Sequence, residues 1–326
     1  MEQPMVDVIL PIYRPDKTLC LLLQKLQEQT FTIHKVILVN TEQQLWEEFL
    51  QKEKIAEFFA GLSLELELFH VNKEDFDHGG TRRQAAARSK APYFVCLTQD
   101  AVPENEHLLE HLLAPMADAK VAVVYGRQKA RPDCSPIEAY TRSFNYPMED
   151  MVKSKEDIPR LGIKTFFCSD VCAIYRKSVF EALGGFEEHT ILNEDMLYAG
   201  RAVYAGWRVA YASEAVVIHS HNYGGRQQYR RNFDIAVSQA QHPEIFAGIR
   251  SEAEGIRMVK NTAGHLLTIK KPWLIVELVW QSAWKYMGYR AGKKYKTMKH
   301  AKILRRTMNP DYWYSLWKRE QQQQEE

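Results

Sequence analysis

Two arginines one residue after two glycines, and a carboxylate one strand further on, are the residues of this chain whose types and spacing suggest chemistry. They lie in DFDHGGTRRQAAARSKAPYFVCLTQDAVP, residues 75–103. Gly79 and Gly80 let the backbone approach a ligand closely, and a helix beginning at Thr81 would turn its free N–H groups toward the same point. Arg82 and Arg83 add planar forks that match phosphate or carboxylate oxygens. The same residues also suit an ordinary turn and a helix with solvated arginines. Asp100 tips the balance, because an anion site beside a carboxylate suggests a diphosphate bridged by a metal. A carboxylate oxygen suits Mg²⁺ or Mn²⁺, ions that take few protein ligands and fill their shells with phosphate and water.

A sheet must position these groups. The helix predicted from Thr81 to about Ser89 ends at Ala91-Pro92. Tyr93 to Leu97 then reads as a buried strand that delivers Thr98, Gln99 and Asp100 to its carboxyl end, where open α/β folds bind ligands. Upstream, VDVILP (6–11), KVILVN (35–40) and residues 64–70 read as strands, with helices over 19–27 and about 42–59. This alternation is the pattern of a parallel sheet wound in right-handed crossovers. A bound nucleoside would lie over the first two strand ends, near Pro11, Tyr13 and Asn40, with Gln99 on the same nucleotide-sugar side.

Further along, a helix is predicted over 105–117 and a strand over 120–125. Residues 131–159 are Pro-rich and aperiodic, either a substrate lid or a structural insertion. Residues 164–176 read as a strand. Ile191 to Gly206 reads as a helix starting near Asn193 and closed by Gly206, with Glu194 and Asp195 in the first turn, where carboxylates are electrostatically favoured. Strand-like runs at 207–211 and 215–218 lead to His219 and His221, whose imidazoles share one side by strand alternation.

At 326 residues and 45% apolar, the chain is long enough for one large α/β domain and an appendage, and a net charge of +2 implies no strong overall attraction to polyanions. Five cysteines without metal-type spacing fit a reducing cytoplasm, and the N-terminus carries no secretory pattern. Between Lys270 and Arg306, eleven basic residues face one acid, Glu277, with Trp273, Trp280 and Trp284 interleaved. The segment is too short and polar to span a bilayer. It fits helices resting on an anionic membrane surface, or helices packed on the catalytic domain or another subunit with a solvated basic face. A homo-oligomer is therefore compatible with the sequence. Nucleic acid is not expected, since no recognised module accompanies the charge. The tail QQQQEE is predicted to be disordered.

Several motifs stand in register with a known family. VDVILPIYRP, VILVN, GGTRRQAAARSKAPYFVCLTQDA and LGGFEE…ILNEDMLYAGRAVYAGWRVAY resemble the nucleotide-sugar-binding domain of family 2 glycosyltransferases over roughly residues 5–229. FDHGGTRR, LTQDAVP, YGRQ, FNYP, LGIKTFFCSDVCAIYR and VIHSHNY are most similar to bacterial rhamnosyltransferases that build surface polysaccharides. The resemblance implies a GT-A-like α/β fold, a mostly parallel sheet flanked by helices, with a catalytic domain over 1–242 and a helical extension over 243–326. It also implies that Asp195 is the general base, with Glu194 beside it, and that Ser169 and Asp170 face the sugar or acceptor. His219 or His221 would join Asp100 at the metal, and Arg230 and Arg231 would close over the diphosphate. The implied reaction is an inverting transfer of L-rhamnose from dTDP-L-rhamnose to a glycan on a polyprenyl lipid, at the inner face of the cell membrane.

Two departures stand out. The family's Asp-x-Asp is Thr98-Gln99-Asp100 here, and Asn40 replaces an Asp often found at the end of the second strand. At Asp195 the helix N-terminus should lower the pKa and Glu194 should raise it. Three other readings remain: transfer of another sugar, such as a UDP-hexose; sugar-phosphate nucleotidyltransfer; and a catalytically silent glycan-binding or scaffold protein. The second places a Gly-rich loop directly after the first strand, where this chain has IYRPDK.

Overall fold

The computed structural model describes residues 4–249 and 252–325. Among them, nine strands form one sheet: β1 (Val6–Tyr13), β2 (Lys35–Thr41), β3 (Leu66–Val71), β4 (Tyr93–Leu97), β5 (Val102–Pro103), β6 (Val121–Lys129), β7 (Met151–Lys153), β8 (Cys172–Arg176) and β9 (Arg208–Ile218). Their order is β3-β2-β1-β4-β8-β6-β9-β5, with β7 paired to β9. Pairings among β1 to β4 are parallel, as the strand–helix alternation predicts. Beyond β4 the sheet is mixed: β8 runs antiparallel to both β4 and β6, while β6 and β9 are parallel.

Strand alternation builds a core on each face. Val6, Val8 and Leu10 of β1 meet Leu19, Leu22, Leu23 and Leu26, the i, i+3, i+4, i+7 stripe of helix Lys17–Gln27. Ile9 points the other way, into a core with Ala85, Ala86, Phe94, Leu197 and Tyr198. Helices His78–Arg88 and Glu194–Tyr204, which carry candidate site residues, cover this second face.

Several predicted boundaries move. The helix predicted over 42–59 is two, Gln43–Leu50 and Ile55–Ala60, separated by a turn that leaves Lys54 at φ 65°. The strand predicted over 164–176 is extended only from Cys172, after a 3₁₀ turn at Gly162–Phe166. The two runs 207–211 and 215–218 are a single eleven-residue strand.

Helix Gly225–Gln241 packs closely on helix Leu274–Gly292. A Cβ added to Gly288 would stand 2.2 Å from the Tyr229 carbonyl oxygen, and one added to Gly292 2.3 Å from that of Phe233. The tail is helical through Pro310–Glu325, contrary to the predicted disorder, and Glu326 lies outside the described residues. Tyr312 and Trp313 anchor this helix against Ile191, Phe233 and Val237. Among the described residues, no helix is long and apolar enough to cross a membrane.

Candidate active site

Strand register explains why Asp100 and His219 meet. Val102 of β5 pairs with Ile218 of β9, so the residue two before the first and the residue one after the second come together at the sheet's rim. Asp100 Oδ1 lies 3.5 Å from His219 Nε2, and its Oδ2 lies 3.8 Å from His221 Nε2. The ligand atoms of the three residues all lie within 4.8 Å of one another. Arg131 approaches the same carboxylate at 3.5 Å.

The imidazoles are poised to coordinate. His219 Nδ1 is 3.0 Å from Gln128 Oε1, the atom that also accepts from Arg142. An arginine only donates, so that atom is the carbonyl oxygen and His219 donates through Nδ1. This leaves the Nε2 lone pair facing Asp100, the arrangement that an acceptor hydrogen-bonded to the far ring nitrogen imposes on metal-binding histidines. Burial, reinforced by His221 and Arg142, pushes the His219 pKa down to about 2, and burial also lowers that of His221. Both rings are therefore neutral near pH 7. One carboxylate and two neutral imidazoles fit a divalent cation, with the remaining positions left to ligand oxygens.

Across the site stands Asp195 in the first turn of helix Glu194–Tyr204, behind Asn193 at φ 69°. Its Oδ1 accepts from Met196 N–H at 2.7 Å and its Oδ2 from Asp170 N–H at 3.1 Å. Burial, then the neighbouring Glu194, pushes its pKa up to about 7 against those two hydrogen bonds and Arg82. The expected lowering by the helix start is thus reversed, because desolvation outweighs it. Burial also holds the Asp170 carboxyl well above the ordinary carboxylate range.

Gln128 joins the two sides. While its Oε1 serves His219, its Nε2 donates to Ser169 Oγ at 3.0 Å, and Ser169 precedes the residue whose N–H holds Asp195. Asp100, His219, Gln128, Ser169, Asp170 and Asp195 therefore form one continuous wall. Gln128 was visible in the sequence only as the last residue of YGRQ, with nothing to mark its reach.

Other residues take different places from those expected. The helix after the glycines begins at His78, and its N-terminus is already capped by Asp77, which accepts from the N–H groups of Gly79 (3.3 Å), Gly80 (2.9 Å), His189 (2.6 Å) and Thr190 (3.2 Å). The predicted anion site is filled by the protein's own carboxylate. Gly79 serves packing instead, since a Cβ there would stand 1.8 Å from the Glu187 carbonyl oxygen. Arg82 is buried and ion-paired with Glu194 (3.0 Å) and Asp170 (3.5 Å), so it braces the acidic cluster and does not face a ligand. Asp170, turned into that pair and hydrogen-bonded by Tyr175, is likewise not open to a sugar. Arg83 is half-exposed and paired with Glu188.

Gln99 ties the ends of β4 and β1 together, accepting from Tyr13 N–H and donating to Tyr13 C=O, each at 2.9 Å. Tyr13 is 37% exposed at the rim, past Pro11 on the same strand. Asn40 is fully buried; its Nδ2 donates to Glu42 C=O, and its Oδ1 has no hydrogen-bond partner. Arg230 and Arg231 part company. Arg231 lies over Tyr223, whose ring stacks on His221, whereas Arg230 lines a groove with C-terminal residues.

The model of glycosyl transferase family 2 matches residues 7–184. The chain is 36% identical over 315 residues to the O-antigen chain rhamnosyltransferase RfbN of Salmonella typhimurium, covering 95% of this chain and 96% of that protein. It is 43% identical over 250 residues to the O-antigen chain rhamnosyltransferase WbaN of Salmonella anatum, covering 76% and 78%. Among solved structures it is similar to the Pyrobaculum calidifontis mannosyltransferase PcManGT in complex with GDP-Man and Mn²⁺ (TM-score 0.57, 14% identity, 90% of this chain and 87% of that one). It is also similar to residues 1–349 of S. aureus TarS in complex with UDP-GlcNAc (TM-score 0.51, 15% identity, 89% and 91%). At such identities these two likenesses concern the fold.

Proposed function

The chain belongs to glycosyl transferase family 2 and is a glycosyltransferase of the O-antigen rhamnosyltransferase type, and from that premise we propose that it transfers L-rhamnose from dTDP-L-rhamnose in one inverting, metal-assisted displacement. The acceptor is a growing surface glycan carried on a polyprenyl lipid at the inner face of the cell membrane. The observation that carries this reading is the wall running from Asp100 and His219 through Gln128 and Ser169 to Asp195. It supports the reading because it links a cluster able to hold a cation to a carboxylate able to take a proton.

Asp195 takes the proton of the acceptor hydroxyl as that oxygen attacks the anomeric carbon. Its raised pKa, about 7, makes it a stronger base than an ordinary aspartate while leaving a substantial ionised fraction near neutral pH. Asp170 and Arg82 hold it in place, the first through its N–H and the second through Glu194. A divalent ion held by Asp100, His219 and His221 would offset the charge that collects on the departing diphosphate. Two imidazoles beside one carboxylate favour Mn²⁺ over Mg²⁺, whose shells are built from oxygen. Arg231, which forms no ion pair among the described residues, adds positive charge on that side. At the other end, the exposed ring of Tyr13 at the rim of the sheet offers a face on which the base of the nucleotide can stack.

The test is hydrolysis and transfer across a panel of nucleotide sugars with Mn²⁺, with the product's anomeric configuration read by NMR. The expected result is consumption of dTDP-L-rhamnose, inversion, and loss of turnover in Asp195→Asn and Asp100→Ala. Preference for a UDP-hexose would overturn the donor assignment, and retention of configuration the mechanism.

A further inference from the structure

On the opposite flank of helix Gly225–Gln241 from Arg231 opens a groove of about 960 Å³, walled by that helix, by Trp284 and by residues 297–306. Arg226, Arg230, Lys299, Lys302, Arg305 and Arg306 line it, and no acidic residue does. None of these six cations forms an ion pair among the described residues; Arg306 instead donates to the Tyr229 hydroxyl. Like charges gathered in one concavity repel one another and favour any polyanion that fills it.

The groove continues into an apolar surface. The ring of Trp284 meets that of Trp280 at 5.6 Å, and Trp280 is 61% exposed. One and two turns earlier stand Val276 and Trp273, 76% and 65% exposed. Residues 273, 276 and 280 fall on one side of a helix. Large apolar side chains rimmed by unpaired cations match the layered chemistry of a bilayer surface, where indole rings settle at the headgroup level and basic residues meet phosphates. We infer that this face docks on an anionic bilayer, with the groove taking lipid phosphate headgroups and Trp273, Val276 and Trp280 entering the interfacial layer. The inference deepens the proposed function and rests on it for its purpose. It gives the lipid-carried acceptor a side of the molecule to approach, across one helix from the catalytic wall.

The test uses the full chain in vesicle flotation, with phosphatidylcholine alone or mixed with phosphatidylglycerol, and measures donor hydrolysis in free solution alongside. The expected result is binding to the anionic vesicles only, weakened by salt. Lys302→Glu with Arg305→Glu should lower it by about tenfold or more, and Trp273→Ser with Trp280→Ser should lower it about fivefold with the salt dependence kept. All four residues are on the surface, and unchanged melting would show that both variants fold. No binding to anionic vesicles, equal binding to neutral ones, or binding unchanged in both variants would overturn the inference. So would binding of inorganic pyrophosphate that Lys302→Glu with Arg305→Glu removes while wild-type vesicle binding is absent, which would mark a site for a free anion. Loss of dTDP-L-rhamnose hydrolysis with vesicle binding intact would instead count against the proposed function alone.

Discussion

Asp195 works against the stability of the fold that holds it. Its carboxyl ionises near pH 7 in the folded chain and near 3.8 when free, so the folded state binds the extra proton between those values. The stabilisation tied to that proton is fully present below about pH 4 and is lost as pH rises through 7. Two outcomes follow from one residue. Transfer by the wild type should rise with pH to a plateau above an apparent pKa of about 7, and Asp195→Asn should lower kcat by roughly 10²–10⁴-fold. The same variant should melt a few degrees above wild type at pH 8, about 2–4 °C for each kcal/mol recovered, with the gap closing toward pH 4. An Asp195→Asn protein that melts lower than wild type at pH 8 would show that the carboxylate is not destabilised there. Gln128 lends itself to a separate measurement. Gln128→Ala leaves Asp100 and both histidines in place but frees the His219 ring, so the Mn²⁺ concentration for half-maximal activity should rise about 10–100-fold. Saturating Mn²⁺ should restore most of the turnover. A loss that no Mn²⁺ concentration repairs would place Gln128 elsewhere in the chemistry.

At the scale of elements, the glycine-rich turn divides what the sequence discloses from what it hides. Apolar runs at 6–11, 35–40 and 93–97 announce β1, β2 and β4 because these strands are buried on both faces and need no polar alternation. The acidic pair at the start of helix Glu194–Tyr204 was equally plain. Hidden were contacts between segments far apart in the chain. Nothing local says that Asp77 will cap its own helix and also gather His189 and Thr190, or that Arg82 will turn inward to Glu194. The two-residue β5, too short to leave a pattern, sets the position of Asp100. Once Asp77 is known to occupy the helix start, Gly79 changes meaning, from a ligand-facing glycine to a seat for the loop that leads to Asp195. Gly79→Ala would force its Cβ against the Glu187 carbonyl and should destabilise the chain by about 1–3 kcal/mol, lowering kcat as residues 187–195 shift while leaving nucleotide affinity close to wild type. A weakened nucleotide Kd with unchanged melting would return Gly79 to the ligand.

For the molecule as a whole, the change of composition near residue 242 is not a break in packing. Ile191 and Phe233, from before it, share a cluster with Ile303, Tyr312 and Trp313, from after it. Asp234 accepts from Thr307 Oγ1 and Met308 N–H, each at 2.7 Å, and Lys73 pairs with Asp311 at 2.9 Å. Ile245 and Phe246 fill the core beneath helix Glu194–Tyr204. Residues 243–249 and 252–325 therefore complete the helix that follows the histidines as much as they extend beyond it. A chain ending at His242 would leave Ile191, Phe233 and Val237 uncovered, with the Asp234 carboxyl stripped of its donors, and should be insoluble or melt without a cooperative transition. Milder damage at the same seam is a sharper probe. Gly292→Val drives a branched side chain toward the Phe233 carbonyl and Ala236 Cβ, and overpacking there should cost about 1–3 kcal/mol. If helix Gly225–Gln241 holds the histidine segment against Asp100, this variant should also raise the Mn²⁺ requirement, although no altered atom touches the cluster. Lower melting with an unchanged Mn²⁺ requirement would show that the C-terminal helices support the fold without reaching the site.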